Sequence, residues 1–319
     1  MEKKLITGFW IVNLILVTLF WGATFVFVKD ALADIAVTWF LAYRFGSAFL
    51  VGGGLSLVYA TARYPAKVKG WVVLFVRSKG WLLGLFLYLA FLFQTAGLSM
   101  TSPSNAAFIT GLSVVLVPLL AAVRGDKLSR PVVVAALAAT LGLSFLTLDF
   151  SSLTVNVGDV LVLGTAVFLA LQIIFTDHYV QSEPPGVVAL AQFGSMALLG
   201  LVGALVLETD RSIAPSSFSG AVWVALFLTV VFATLYAFGT QTFAQKSINP
   251  TIIALVFALE PVFALLTNVW VGQEQLTVLR VTGMSLILLS TVVAVLTQPR
   301  EDATLVGSVV PPLTEVTRQ

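Results

Sequence analysis

Residues 44–47 of the chain read RFGS and residues 192–195 read QFGS, and each stretch lies inside a long apolar run. The copies are 148 residues apart (192 − 44), and five predicted membrane crossings, an odd number, separate them. Two halves related in this way would cross the bilayer in opposite orientations. Inverted repeats of this kind are typical of secondary transporters, whose substrate site lies between the repeats. The same offset pairs Phe20 with Phe168, Phe27 with Phe175, Leu50 with Leu198, Gly52 with Gly200, Ala96 with Ala244, Ser99 with Ser247 and Leu128 with Leu276.

The composition places the chain among membrane proteins. Of its 319 residues, 59% are apolar and 10% are charged, and the mean hydropathy is +1.02, outside the range of soluble globular proteins. A helix needs about 20 apolar residues to span the hydrocarbon core of a bilayer. The sequence therefore predicts an all-α integral membrane protein with ten transmembrane helices, arranged as two inverted five-helix repeats around a central cavity. The ten segments are 8–28, 36–60, 80–99, 104–123, 131–148, 158–177, 186–207, 220–244, 250–271 and 278–297.

The distribution of positive charge predicts the orientation of the chain. Thirteen of the 17 Lys and Arg residues fall on the side that holds the N-terminus, and three fall on the other side. The positive-inside rule then places both termini in the cytoplasm, for a multi-pass protein of the cell inner membrane. We expect a first repeat over residues 1–148, a second, inverted repeat over 158–297 and a disordered cytoplasmic tail over 298–319.

The sequence lacks the motifs of several other functional classes. It has no G-x-x-x-x-G-K-[ST] loop for nucleotide phosphates, and neither H-E-x-x-H nor G-x-S-x-G occurs. It has no cysteine and a single histidine, His178, which lies beside Asp177 in a predicted loop. One histidine does not supply the several ligands that a metal site needs. We therefore expect no enzyme activity, no catalytic residue, no metal and no cofactor. The expected partners are a small-molecule substrate and the lipid bilayer, with no nucleic acid and no obligate protein partner.

Two ionisable residues fall well inside predicted segments, where a charge is costly and marks a functional site by default. Glu260 lies near the middle of the ninth segment, directly before Pro261, whose missing amide loosens the helix. Its carboxyl could couple transport to protons, or could instead hydrogen-bond the loosened backbone and fix the packing. Arg44 could bind a substrate carboxylate, snorkel towards the interface or hold a structural partner. The second half has Gln192 at the equivalent position, so the role of Arg44 is not symmetric.

Five stretches, in order along the chain, resemble the EamA-type branch of the drug/metabolite transporter superfamily. They are FWGATFVFVK (20–29), the Arg44-Phe45 pair, TAGLSMTSPSNAAFITGLSVVLVPLLA (95–121), GDVLVLGTAVFLALQIIF (158–175) and ALEPVFALLTNVWVGQEQLTVLRVTGMSLILLS (258–290). The resemblance implies ten helices in two inverted halves, alternating access around a central cavity, and export of amino acids or other small metabolites. The first half departs from the pattern, because Val117 stands before Pro118 where Glu260 stands before Pro261.

Polar and aromatic residues of several segments predict the lining of the cavity. Aromatic walls with a few amides and hydroxyls suit a small, partly apolar metabolite, so an apolar or aromatic amino acid is the favoured substrate. The predicted cavity residues are Trp21, Arg44, Tyr88, Gln94, Asn105, Phe108, Gln172 and Tyr236, with Glu260 as the coupling candidate and Pro118 and Pro261 as pivots.

The predicted function is secondary transport by alternating access, in the direction of export. One alternative is a membrane-embedded lipid-handling protein or flippase partner, which would have a groove open to the bilayer. Another is a structural or sensor subunit that transports nothing.

Overall fold

The computed structural model describes residues 2–101, 103–126, 128–147, 156–208, 214–272 and 274–297, including all their side chains except those of 2–4, 103–105 and 147. These residues form helices joined by short connections, and no strand occurs among them. The helices are α1 (Glu2–Ala31), α2 (Val37–Arg63), α3 (Val68–Arg77), α4 (Gly80–Met100), α5 (Pro103–Gly111), α6 (Ser113–Arg124), α7 (Arg130–Thr147), α8 (Val157–Val180), α9 (Pro185–Leu207), α10 (Gly220–Val230), α11 (Ala237–Ala244), α12 (Pro250–Phe257), α13 (Glu260–Trp270) and α14 (Val278–Thr297). A π-helical segment, Val231–Tyr236, joins α10 to α11, and single 3₁₀ turns cover Pro65–Lys67 and Pro215–Ser217.

Nine helical stretches within the described residues are long and apolar enough to cross a membrane. They correspond to nine of the ten predicted segments. The fifth predicted segment corresponds to α7, whose apolar stretch, Arg130–Leu146, is shorter. The described part of the chain is thus an all-helical, multi-pass membrane protein, and the number of ten crossings stays a prediction. The predicted disordered tail, 298–319, lies outside the described residues.

Helix α3 lies in a stretch that the sequence patterns assigned to a connection. Its ten residues are too few to span a bilayer, and none of them is buried. The ring of Phe75 stacks on Phe49 of α2 and also contacts Trp81 of α4. We therefore describe α3 as a short surface helix that is anchored to the bundle by the Phe75 ring, by a hydrogen bond from Trp81 Nε1 to the Phe75 carbonyl oxygen and by packing against α9.

Two of the membrane-crossing stretches are broken near their middle. The first break lies between α12 and α13, so that Pro261 falls in the first turn of α13, where a backbone amide has no helical partner. The second break lies at Leu112, between α5 and α6, and α6 runs through Pro118 without interruption. Pro118, predicted as a pivot, therefore does not lie at the break. A proline removes a single helical hydrogen bond, and the neighbouring bonds keep α6 intact.

Packing joins the two halves of the chain into one bundle. Helix α1 packs against α10 to α13 of the second half, and α8 packs against α4, α5 and α6 of the first half. Helix α2 packs along α9, and α7 packs along α14. The α7–α14 crossing is very close, because a Cβ atom on Gly142 would lie 2.8 Å from the carbonyl oxygen of Gly283. Small residues at such crossings let helix backbones touch within a membrane.

Candidate functional site

A cavity lies inside the bundle between helices of both halves. Its volume is about 50 Å³, which is room for a few water molecules at roughly 10–15 Å³ each. Most of its lining is apolar or aromatic, and two of the lining side chains, Arg44 and Glu260, are ionisable. The lining residues are Trp21, Thr24, Phe25, Val28, Arg44, Ala90, Phe91, Gln94, Thr95, Leu98, Thr110, Thr165, Leu169, Phe238 and Glu260.

Helix α2 brings Arg44 to the cavity, where the side chain is only 4% exposed. Its Nε donates a hydrogen bond to Thr234 Oγ1 at 2.9 Å, and its Nη2 donates to the carbonyl oxygen of Ala233 at 3.2 Å. The guanidinium carbon lies 4.3 Å from the centre of the Phe91 ring and 5.2 Å from that of Phe45. Such cation–π contacts stabilise a charge that has been removed from water. Arg44 is thus held inside the bundle and does not snorkel towards the interface.

The groups that hold Arg44 belong to the π-helical segment between α10 and α11. The carbonyl oxygen of Ala233 accepts hydrogen bonds from both Arg44 and Trp21 Nε1, the latter at 2.9 Å. A π-helical turn closes its hydrogen bonds five residues apart instead of four, and such turns are frequent at functional sites. This segment therefore positions two lining side chains. Its sequence, VFATLY, carries no pattern that distinguishes it from an ordinary apolar helix.

Glu260 is the first residue of α13 and lines the cavity at the helix break. It is 7% exposed, and its carboxyl forms no hydrogen bond and no ion pair within 4.0 Å with any residue that the structure describes. The N-terminal end of α13 carries a partial positive charge, which favours an acidic side chain at this position. The alternative role, in which the carboxyl hydrogen-bonds the loosened backbone, is not the arrangement found here.

The uncharged polar groups of the lining are largely satisfied within the protein. Gln94 Nε2 donates to Thr110 Oγ1 at 3.3 Å and so links α4 to α5. The hydroxyl of Thr24 donates to the carbonyl oxygen of Trp21, and that of Thr165 donates to the carbonyl oxygen of Ala90. Arg44 and Glu260 are the charged lining groups with unused hydrogen-bonding capacity, and Gln94 Oε1 also accepts no hydrogen bond from the described residues.

Of the eight predicted cavity residues, Trp21, Arg44 and Gln94 line this cavity, as does the coupling candidate Glu260. Some of the lining residues that the prediction omitted follow helical spacing. Thr24, Phe25 and Val28 come three, four and seven residues after Trp21, and Phe91 and Leu98 lie three residues before and four residues after Gln94. Extending these two faces would have found them, whereas Thr110 and Phe238 lie at no such spacing from a predicted residue.

The other predicted cavity residues lie elsewhere. The hydroxyl of Tyr88 lies against Gly203 of α9, where the missing side chain leaves room for it. Phe108 is half-buried and packs against the apolar core. The hydroxyl of Tyr236 donates to Asn13 Oδ1 at 2.8 Å. Gln172 is fully buried in a separate amide cluster. For Asn105, the side chain lies outside the described part of the structure.

A cluster of buried amides ties α8, α9 and α11 together beyond the cavity. Gln172 Nε2 donates to Gln192 Oε1 at 2.9 Å, and Gln241 Nε2 donates both to Gln172 Oε1 at 2.9 Å and to Gln245 Oε1 at 2.8 Å. All four side chains are 0–1% exposed. Amides remote from water need partners, and here most of the amide groups supply one another, whereas Gln241 Oε1 has no partner among the described residues. Gln192, at the repeat position of Arg44, thus takes part in helix packing and does not line the cavity.

The end of the bundle beyond this cluster carries an ion-pair group. Arg124, the last residue of α6, pairs with Asp177 of α8 at 2.9 Å and also with Asp126. Asp177 and His178 belong to the last turn of α8, so the prediction of a loop there was wrong. The apolar segment ended at 177, but the helix continues to Val180 because helical hydrogen bonds do not require apolar side chains.

At the opposite end of the bundle, Lys29 joins α1 to α4. Its Nζ donates to the carbonyl oxygens of Leu98 at 2.7 Å and Thr101 at 2.8 Å, which caps the C-terminal end of α4. The hydroxyl of Thr101 in turn donates to Asp159 Oδ1 at the start of α8. Lys29 and Asp177 are 148 residues apart (177 − 29), the same offset as that of the repeat.

Among the residues that the structure describes, no group of three or more His, Asp or Glu side chains could hold a metal ion. The cavity has four aromatic residues, one buried guanidinium and one buried carboxyl among its fifteen lining residues.

Comparisons with known proteins identify a family, two related transporters and a solved structure with the same fold. The model of the EamA-like transporter family matches residues 8–148 and again residues 156–296. An uncharacterized transporter of Archaeoglobus fulgidus is 32% identical over 282 residues, which cover 88% of this chain and 84% of that protein. The uncharacterized transporter YyaM of Bacillus subtilis is 24% identical over 285 residues, which cover 87% of this chain and 90% of YyaM. One solved crystal structure, 20% identical, superposes with a TM-score of 0.69 over 91% of this chain and 97% of its own and so shares the fold.

Proposed function

The chain belongs to the EamA-like transporter family, and on that premise we propose that it is a secondary transporter that exports amino acids or similar small metabolites by alternating access. Its two halves, 1–148 and 158–297, act as inverted repeats in this proposal, with both termini in the cytoplasm and the chain in the cell inner membrane. The family is one of transporters, and we propose no catalytic activity.

One observation carries the proposal: a buried carboxyl without a partner lines a cavity at the middle of the bundle. Glu260 lies at the N-terminal end of a half-helix, and half-helix ends near the midplane are a recurrent element of transporter binding sites. A buried ionisable group that stabilises neither a salt bridge nor a hydrogen bond among the described residues is costly to the fold. A role in binding or coupling accounts for its presence.

The packing supports a two-fold relation between the halves. The first helix of one half packs against the third and fourth helices of the other, and the reciprocal contact, of α8 with α4, α5 and α6, is also made. Helices α2 with α9, and α7 with α14, pair with their own counterparts. Both broken helices, at Leu112 and at Ala258–Leu259, also occupy related positions, 146–147 residues apart (258 − 112 and 259 − 112). An exchange of this kind is expected of two halves related by an axis in the membrane plane.

Two contacts between helices, called ties here, lie at opposite ends of the bundle and support alternating access. Lys29 holds α1 to α4 at one end, and Asp177 holds α8 to Arg124 at the other, at positions related by the repeat. In our proposal each tie forms and breaks in turn as the cavity opens to one side. The cavity of about 50 Å³ holds only a few waters at 10–15 Å³ each, so its walls must move apart to admit a substrate.

The aromatic lining favours an apolar or aromatic amino acid as the substrate. Trp21, Phe25, Phe91 and Phe238 supply apolar walls, and seven of the fifteen lining residues are polar, a composition that suits a small, partly apolar molecule. Glu260 is in addition our candidate for proton coupling, because its carboxyl has access to the cavity and has no fixed partner among the described residues.

Transport in proteoliposomes tests the proposal. The purified protein is reconstituted and presented with a panel of radiolabelled amino acids, with and without an imposed pH gradient. We expect saturable flux of at least one apolar or aromatic amino acid, stimulated by the gradient. Flux of none of the compounds under either condition would count against the transporter. Flux that persists in the Glu260→Gln variant with unchanged dependence on the gradient would refute proton coupling through this residue alone.

A further inference from the structure

Two side chains that can carry opposite charges line one cavity without contacting each other. Arg44 comes from α2 in the first half, and Glu260 comes from α13 in the second half. They form no ion pair within 4.0 Å, although a direct pair would relieve the cost of burying both charges. Arg44 is instead fixed by Thr234, Ala233 and the Phe91 ring, all of which hold it in place without neutralising it.

Arg44 retains hydrogen-bonding capacity towards a ligand. A guanidinium group has five N–H donors, and the described residues accept from its Nε and once from its Nη2. The remaining donors belong to the two terminal nitrogens, which are suited to the two oxygens of a carboxylate. The Phe91 ring, 4.3 Å from the guanidinium carbon, contacts the group without using any donor. The side chain is therefore positioned in advance for an anion.

Glu260 offers the complementary chemistry. Its carboxyl is more than nine-tenths buried, lines the same cavity and accepts no hydrogen bond from the described residues. When ionised, it requires a cation or several donors, which an ammonium group supplies. Such a counter-ion must be ionised while the ligand is bound, which is compatible with its protonation at another stage of transport.

We propose that the cavity recognises a zwitterion, whose carboxylate binds Arg44 and whose ammonium group binds Glu260, while the aromatic walls hold its side chain. The proposal rests on the function proposed above and names the side chains that bind the charged groups of the substrate. A ligand that lacks either charge leaves one buried charge unpaired, which costs about 2 kcal/mol or more, or about 30-fold in affinity. The site therefore selects for free amino acids over their singly charged derivatives.

Binding to the wild-type protein gives the first test. The purified full chain is screened in detergent by thermal shift against the twenty standard amino acids and glycine betaine. For the best ligand, its amide, which lacks the carboxylate, and its N-acetyl derivative, which lacks the ammonium, are then titrated. We expect each derivative to bind about 30-fold more weakly, or worse. Equal affinity for either derivative, or stabilisation by no zwitterion of the panel, would overturn the proposal.

Two charge-neutralising variants separate recognition from structure. In the Glu260→Gln variant the ammonium group has no anionic partner, so the free amino acid should bind more weakly than to the wild type. The difference in affinity between the free amino acid and its N-acetyl derivative should shrink or reverse. In the Arg44→Gln variant, the difference in affinity between the free amino acid and its amide should likewise shrink or reverse. A merely structural role for either residue predicts equal losses for all three ligands. Arg280→Gln, which also removes a charge but lies outside the lining, is the matched control and should keep the wild-type order of affinities.

The failure of this inference can be told apart from failure of the transporter proposal. Flux of a neutral or singly charged compound in proteoliposomes, without discrimination against the derivatives, would refute zwitterion recognition and leave transport standing. Where Arg44→Gln does not fold, the comparison of ligand derivatives on the wild-type protein still decides the question.

Discussion

The contact between α1 and the break at Glu260 makes Gly22→Ala the most informative single change. A Cβ atom on Gly22 would lie 2.6 Å from the carbonyl oxygen of Glu260, 2.6 Å from the backbone nitrogen of Ala264 and 2.9 Å from Phe263 Cβ. Ordinary contact begins at 3.4 Å, so the helices must separate by about 0.8 Å (3.4 − 2.6). Two of the three obstructing atoms belong to the backbone, which cannot rotate away.

Overpacking of this kind costs about 1–3 kcal/mol in a well-packed interior. We therefore expect Gly22→Ala to lower the Tm in detergent and to reduce flux, since it displaces the segment that carries Glu260. Gly8→Ala is the matched control, because it lies on the same helix with nothing within 4 Å of the added atom. The assay is intrinsic fluorescence during heating, followed by proteoliposome flux. An unchanged Tm and unchanged flux for Gly22→Ala would refute the packing that places α1 on the Glu260 turn.

Three further changes test other parts of the structure. Gln241→Leu leaves Gln172 Oε1 and Gln245 Oε1 without their donor, so the Tm should fall by the equivalent of about 1–3 kcal/mol for each acceptor left unpaired. The exposed control Ser285→Ala should leave the Tm unchanged. An equal Tm for both variants would contradict the buried amide cluster. Deletion of Val231 should convert the π-helical segment to α-helix and withdraw the Ala233 carbonyl from Trp21 and Arg44. The variant should still fold but should no longer bind the ligand. Wild-type affinity for the ligand would argue against the π-helical contacts. Arg124→Gln breaks a partly exposed ion-pair group worth about 0–1 kcal/mol, so the Tm should barely change. A membrane-impermeant thiol reagent should nevertheless reach Thr165→Cys faster from the side of the membrane on which Arg124 lies. Arg280→Gln, which breaks the pair with Glu274, should not have this effect.

Hydropathy predicted where the membrane-crossing helices lie, and the orientation drawn from the charges stays a prediction. Apolar segment length depends on bilayer thickness alone, which is why the all-helical class and nearly all helix positions followed from the sequence. The family resemblance rested on short motifs in order, and the family match over residues 8–148 and 156–296 confirms it.

The cavity could be predicted only in part, because a polar residue inside a membrane bundle can face either a ligand site or another helix. Arg44 and Glu260 stood out as charges, and both line the cavity. Gln172 had the same polar signal, yet its amide is satisfied by neighbouring glutamines. Sequence alone does not distinguish a group that faces a ligand from one that faces another helix, since the difference lies in which residues of distant segments meet.

Backbone irregularities escaped prediction for a related reason. A proline was expected to mark each break, but the break at Leu112 lies six residues before Pro118 (118 − 112). The π-helical segment has no proline at all, and its stability comes from the contacts that Ala233 and Thr234 make with Trp21 and Arg44. Such features depend on tertiary contacts and not on local propensity.

The central claim, that this chain moves a small molecule through the cavity between Arg44 and Glu260, is tested most directly by flux in proteoliposomes. We predict saturable transport of an apolar or aromatic amino acid by the wild-type protein, strongly reduced by Glu260→Gln and by Arg44→Gln but not by Arg280→Gln, which lies outside the cavity. The account would be contradicted if no amino acid were transported, or if both charge-neutralised variants transported it as fast as the wild type.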